Sequence, residues 1–243
     1  MTASAGNHPG ASPQLPLALR FPPDQRFETY INAPPGALPQ LRALALQPAQ
    51  DWVFLSGPGG VGKTHLLLST CAEASAAGRR VAYLSLHTAA GRLGDALQAL
   101  EGNDVVALDN VQAIVGNRDD EIALFDAHNR ARTAGTGILY ASRENPAELP
   151  LLLPDLRSRL SQCARIALAP LDDDGRREVL AQRAQRRGLI VDDAALDWLL
   201  RRTGRDLVGL TGMLERLDRA SLAEQRKLTV PFLRKVLGNT NEG

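Results

Sequence analysis

Residues Gly57 to Thr64 read GPGGVGKT and match the pattern G-x-x-x-x-G-K-[ST] at every fixed position. The apolar run Trp52 to Leu55 precedes them and the helical pattern His65 to Ala77 follows, which is the strand-then-helix setting a phosphate-binding loop needs. The spelling has a physical basis. A triphosphate is held by a ring of backbone N–H donors, and only a loop with little side-chain bulk brings them close enough. Gly57, Gly59, Gly60 and Gly62 provide that loop, with Pro58 and Val61 between them. The helix behind it adds the partial positive charge of its N-terminus. Lys63 is then placed to reach the β and γ phosphates as a point charge, and Thr64 to offer its hydroxyl to Mg²⁺. His65, next in the chain, joins the candidate nucleotide-binding set, to which Asp109 also belongs.

Around this loop the chain alternates strand and helix patterns. Strands are predicted at Trp52 to Leu55, Val81 to Leu86, Asp104 to Asp109, Gly137 to Ala141 and Arg165 to Leu168. Helices are predicted at Ala37 to Leu46, at Thr88 to Leu100 with Thr88 as N-cap, and at Asp119 to Ala134 with Gly135 closing it. Alternation of this kind predicts a parallel sheet covered on both faces, an α/β three-layer arrangement. After Pro170 only helical patterns remain, at Asp172 to Arg187, Asp192 to Thr203, Asp206 to Ala223 and Thr229 to Leu237. The expected organisation is an N-terminal arm at residues 1–20, an α/β nucleotide-binding domain at 21–169 and a small all-α lid domain at 170–243.

The arm begins with an uncharged stretch rich in Ala, Ser, Gly and Pro that cannot bury enough surface to offset ordering entropy, so Met1 to Pro13 are expected to be disordered. Gln14-Leu15-Pro16-Leu17-Ala18-Leu19 follows, a short extended apolar hexapeptide. Taken by itself it has two readings: an edge strand packed on its own domain, or an extended segment whose alternate side chains dock in a partner's pockets.

Composition narrows the classes. With 243 residues, 23% of them charged, and a net charge of +1, the chain can bury a real core and lacks the excess of Lys and Arg expected of a nucleic-acid binder. Cys71 and Cys163 have no metal-ligand spacing and read as buried thiols in a reducing compartment. No apolar run approaches the roughly 20 residues that cross a bilayer, and the N-terminus lacks a signal peptide's basic start and apolar core. The expectation is a soluble cytoplasmic protein.

A strand end carrying an acid should face Thr64, because Mg²⁺ or its water shell needs an anion there. Val105-Val106-Ala107-Leu108-Asp109 supplies it. Thr64 and Asp109 are therefore the candidate metal residues. Asn110 stands next, where a hydrolytic enzyme would place a second carboxylate; an amide orients water but cannot accept its proton, and losing a general base costs on the order of 10²–10⁴ in rate.

The GPGGVGKT loop, the VVALDN strand end and the helical lid together resemble the AAA+ ATPases of the initiator clade, the group of the replication initiator DnaA, over about Phe21 to Leu237. The resemblance implies an arginine finger in Asp155-Leu156-Arg157-Ser158-Arg159-Leu160, at Arg159 with Arg157 as rival, and a sensor 2 arginine in Gly204-Arg205-Asp206-Leu207, at Arg205, which joins the candidate nucleotide-binding set. DnaA itself carries a further DNA-binding domain after the lid, whereas this chain ends at Gly243. Within the clade the tail Leu217 to Leu237 and the arm's QLPLAL therefore resemble the Hda family, regulatory inactivators of DnaA.

That resemblance implies ADP (or ATP) with Mg²⁺ as ligand. It also implies that Gln14, Leu15, Leu17 and Leu19 bind the sliding clamp, the β subunit of DNA polymerase III, and that Arg159 acts in trans on ATP held by DnaA. The expected outcome is negative regulation of replication initiation, with little hydrolysis by the chain itself, possible self-association and no sequence-specific DNA contact. Initiator-clade proteins tend to carry an acidic sensor 1 residue where Arg143 stands, a second acid missing from the catalytic centre. Two other classes stay open at this point: an autonomous ATPase acting as a loader or remodeller, and a DNA-binding accessory factor.

Overall fold

A computed structural model describes residues 21–22, 25–48, 51–202, 217, 220 and 228–238. The arm with Gln14, Leu15, Leu17 and Leu19 lies outside the described residues, as do Arg205 and most of the helix expected at Asp206 to Ala223.

Five strands, β1 (Val53–Ser56), β2 (Val81–Ser85), β3 (Val105–Asp109), β4 (Gly137–Ser142) and β5 (Ala164–Ala167), form one sheet in the order β2-β3-β4-β1-β5. Every pairing is parallel. β3 and β4 are buried along their whole length, as strands covered on both faces must be. Successive side chains point to opposite faces, and the two faces hold separate cores. Phe54, Leu108 and Tyr140 pack beneath α4 (Leu93–Gln98), α5 (Arg118–Ala134) and α6 (Pro154–Ser161). Val53, Leu55, Ala107 and Leu139 pack beneath α1 (Ala37–Leu46) and α2 (Lys63–Ala76). The three-layer α/β arrangement expected from the alternation is what forms.

Two expected details differ. The predicted Thr88 to Leu100 helix is two helices, α3 (Leu86–Ala89) and α4, broken at Ala90 to Arg92. The break is held from a distance: the amides of Gly91 and Leu93 donate to the buried carboxylate of Asp120 on α5, at 2.6 and 3.1 Å. Thr88 is no N-cap, since its hydroxyl donates back to the Ser85 carbonyl at 2.8 Å. The second difference is α6, a helix the periodicity did not single out, opened by Pro154 at its first position with Asp155 in its first turn.

Beyond Pro170, α7 (Asp173–Arg186), α8 (Asp193–Arg202) and a last helix, Val230–Gly238, surround a small core of Leu180, Leu196, Leu199, Leu228 and Leu233. Asp172 and Asp192 cap α7 and α8 by accepting from the amides of Gly175 and Ala195, at 2.8 and 2.7 Å. Within the lid, Val191 and Leu228 form an isolated parallel bridge outside any strand. Among the described residues no helix is long and apolar enough to cross a membrane.

Candidate functional site

The glycine loop turns from the C-terminal end of β1 into the N-terminus of α2. Two glycines are required by shape. At Gly57 (φ 149°) a Cβ would sit 2.3 Å from the Leu168 carbonyl oxygen, and at Gly62 (φ 90°) it would sit 2.6 Å from the Tyr30 ring. The Tyr30 hydroxyl donates to the Val61 carbonyl at 2.8 Å, so an aromatic from the segment before α1 braces the loop from outside. Burial pushes that phenol up to about 12, which keeps it a neutral donor. Lys63 opens α2, and its ammonium donates to the loop carbonyls of Gly57 and, at 2.7 Å, Pro58. Burial lowers its pKa, the Asp109 carboxylate opposes that, and the Arg143 guanidinium adds to it. A buried cation of this kind gains from an anion laid beside it.

Thr64 and Asp109 are 45 residues apart in sequence and meet here: Thr64 Oγ1 donates to Asp109 Oδ2 at 2.6 Å. The same oxygen accepts from the Tyr83 hydroxyl at 3.0 Å, and Oδ1 accepts from the Asn110 amide at 2.8 Å. Asp109 is 2% exposed, so these three donors fix an otherwise costly carboxylate. A hydroxyl and a carboxylate oxygen at one point are hard ligands of the sort Mg²⁺ takes alongside phosphate oxygens and water. Among the described residues no group of three or more His, Cys, Asp or Glu is placed to hold a metal, so any ion here relies on that pair and on the ligand's own oxygens.

Asn110 adopts a left-handed conformation (φ 60°) and donates its amide to Ser85 Oγ at 3.1 Å. It accepts from Gln112 Nε2 at 3.3 Å, and Gln112 Oε1 accepts from Ser142 Oγ at 3.0 Å and the Arg143 amide at 3.3 Å. This ladder of neutral groups crosses the C-terminal ends of β2, β3 and β4. It can orient a water and cannot take its proton. The sequence reading named Asn110 and Arg143 but missed Tyr83, Ser85, Gln112 and Ser142, which no motif marks.

The loop, Asp109 and Asn110 line a cavity of about 390 Å³. Its outer wall is Tyr30, Ile31 and Asn32 on one side and Leu171, Val179 and Arg183 of the lid on the other. The size suits a nucleotide. His65 also lines it, but its Nε2 contacts Thr29 Oγ1 at 3.1 Å and the Arg26 carbonyl at 2.9 Å, so the ring ties α2 to the segment before α1.

Arg159 is elsewhere. It stands on α6 and lines a second cleft with Asp51, Trp52, Gly135, Thr136 and Cys163, the residues just before β1, β4 and β5. In a parallel sheet this is the end opposite the glycine loop; four residues of β1 at about 3.3 Å each separate the two by roughly 13 Å. Its rival Arg157 is committed locally, donating to the Leu151 carbonyl at 2.6 Å. Among the described residues Arg159 has no carboxylate within ion-pair distance.

Comparison with known proteins agrees with this layout. Residues 23–167 match the family model of the bacterial DnaA ATPase domain, and residues 173–237 that of the Hda lid domain. Among solved structures, domain III of the Thermotoga maritima replication initiation protein DnaA superposes with a TM-score of 0.77 at 20% identity, covering 92% of this chain and all of that one. AMPPCP-bound DnaA from Aquifex aeolicus gives 0.67 at 24% identity, over 80% of this chain and 65% of that one. The Thermotoga maritima RuvB Holliday junction branch migration motor gives 0.65 at 20% identity, over 90% of this chain and 73% of that one. Identities this low speak for the shared fold alone.

Proposed function

Since the chain belongs to the bacterial DnaA ATPase domain family and carries an Hda-type lid, we propose that it is a regulatory AAA+ nucleotide-binding protein that stimulates hydrolysis of ATP bound to DnaA and so restrains initiation of replication. The observation that carries this reading is the position of Arg159. Its guanidinium lies at the far end of the sheet from Lys63, Thr64 and Asp109, where it cannot serve the chain's own phosphates but is available to a nucleotide on another subunit.

In this reading the Lys63 ammonium and the loop amides would hold the phosphates of ADP or ATP, while Thr64 and Asp109 would hold Mg²⁺, which would neutralise phosphate charge. Tyr30 and the lid enclose the base. The glycine loop and Lys63 on the sheet side and Leu171, Val179 and Arg183 on the lid side line one cavity, so a nucleotide held there would couple sheet and lid. Arg159 then enters the site of DnaA and stabilises the charge that develops on the γ phosphate, a contribution on the order of 10³–10⁵ in rate for an arginine supplied by a partner. Gln14 to Leu19 dock the complex on the DNA-loaded sliding clamp. The neutral ladder of Asn110 and Gln112 keeps the chain's own turnover slow.

The test is conversion of DnaA-bound ATP to ADP with and without the purified chain and clamp loaded on DNA. Acceleration that depends on both supports the reading; no acceleration removes it. The intact Thr64–Asp109 pair also favours a second reading, an autonomous ATPase acting as a loader or remodeller. Steady-state hydrolysis by the chain alone at about 1 s⁻¹ or more, within the ordinary range for enzymes, would select it.

A further inference from the structure

The Arg159 cleft contains more than one cation. Arg132, in the last turn of α5, lines it as well, and among the described residues it too has no carboxylate within ion-pair distance. His128, 1% exposed, lines it too. Its Nδ1 is 3.0 Å from the hydroxyl of Tyr140, a fully buried phenol for which the imidazole is the acceptor at hand. If the phenol donates, one buried polar group is left over; if the imidazole donates instead, two are, so the first arrangement is favoured. Nε2 therefore carries the proton. It is on the opposite side of the ring from Tyr140; Trp52 packs edge-on against the imidazole, and among the described residues Nε2 has no hydrogen-bond partner. Burial, Arg159 and Arg132 together hold His128 down to about 4, so at neutral pH it is an uncharged N–H donor.

Among the described residues the cleft, about 300 Å³, thus joins two guanidinium forks and a buried donor that lacks an acceptor, against a single lining carboxylate, Asp51. Cys163, whose thiol burial pushes up to about 12, adds no anion. A carboxylate offers two oxygens in a plane, whereas a phosphoryl group offers three in a tetrahedral fan, which suits three donors carried by two helices, His128 and Arg132 on α5 and Arg159 on α6. We infer that Arg132, Arg159 and the Nε2–H of His128 form one phosphoryl-binding cleft, with Arg132 as a second residue contacting the phosphate on which Arg159 acts. The identification of that phosphate as nucleotide on a partner rests on the function proposed above; the anion site itself does not.

Two measurements on the full-length chain separate these claims. In the first, the chain is saturated with ADP and Mg²⁺ and titrated with inorganic phosphate, following the ring N–H resonance of His128 by NMR, with acetate as the control anion. Phosphate should shift that resonance, and Arg132→Ala, a change at an exposed side chain, should weaken binding at least tenfold, with Arg132→Lys intermediate. No shift, or an equal response to acetate, overturns the phosphoryl site. In the second, DnaA-bound ATP is followed through one turnover. Arg132→Ala should reduce stimulation at least tenfold while clamp co-elution stays as in the wild type. If Arg159→Ala abolishes stimulation and Arg132→Ala leaves it intact, the role of Arg132 on the partner nucleotide is overturned and the proposed function stands. If neither matters, that function fails, and the phosphate titration still decides whether the cleft binds free phosphate.

Discussion

Thr64 Oγ1 and Asp109 Oδ2 lie 2.6 Å apart, and the acceptor oxygen is shared with the Tyr83 hydroxyl at 3.0 Å. The first residue comes from the helix after the glycine loop, the second from the end of β3 and the third from β2, so one carboxylate oxygen pins three elements at the C-terminal edge of the sheet.

Asp109→Asn keeps the volume but removes the anion that Mg²⁺ would meet. Affinity for Mg²⁺–ADP should fall at least tenfold, about 1.4 kcal/mol, while affinity for ADP in EDTA changes much less. Calorimetric titration under the two conditions checks it. Equal losses would mean that Asp109 supports the fold of the loop rather than the metal.

Glu121, 0% exposed, accepts from the Gly116 amide at 3.0 Å and the Leu153 amide at 2.7 Å, and thereby anchors the start of α6 to α5. Glu121→Gln turns one acceptor into a donor facing an N–H and should cost about 1–3 kcal/mol in urea unfolding. Hydrogen exchange should also quicken over residues 151–161. Unchanged exchange there would show that α6 is held by its packing alone.

His128 gives a pH dependence whose sign follows from its burial. Its folded pKa is depressed from 6.5 to about 4, so above pH 6.5 the ring is neutral in both states and contributes nothing. As pH falls from 6.5 towards 4, the unfolded chain takes up a proton that the folded chain refuses, and stability is lost; below about 4 the penalty stops growing. The melting temperature of the wild type should therefore drop further across this window than that of His128→Gln. Parallel curves would mean that the ring is protonated in the folded protein.

The glycine loop and the strand alternation were legible because each is spelled locally, one by a short motif and the other by runs of four to six apolar residues. The Thr64–Asp109 meeting was legible too, since a hydroxyl that is to offer itself to Mg²⁺ needs an acid opposite it. Tyr83, Gln112 and Ser142 were not, because their roles arise only when the strand order β2-β3-β4 lines up the ends of three non-adjacent segments. The split of the expected Thr88 to Leu100 helix was hidden for a similar reason. Its cause is Asp120, nearly thirty residues away, holding the amides of Gly91 and Leu93. For α6 a local signal existed in Pro154 and Asp155, but with eight residues its periodicity was too short to stand out. Arg132 carried no signal at all until the fold placed it beside Arg159.

The central claim, that this chain acts through Arg159 on a nucleotide it does not itself hold, is tested most directly by single-turnover hydrolysis of ATP bound to DnaA, in the presence of loaded clamp, with wild type and Arg159→Ala compared at equal occupancy by ADP. The account predicts that the variant binds ADP and clamp as the wild type does and loses stimulation by a factor on the order of 10³. Stimulation by Arg159→Ala within about twofold of wild type, under 0.5 kcal/mol, would contradict it.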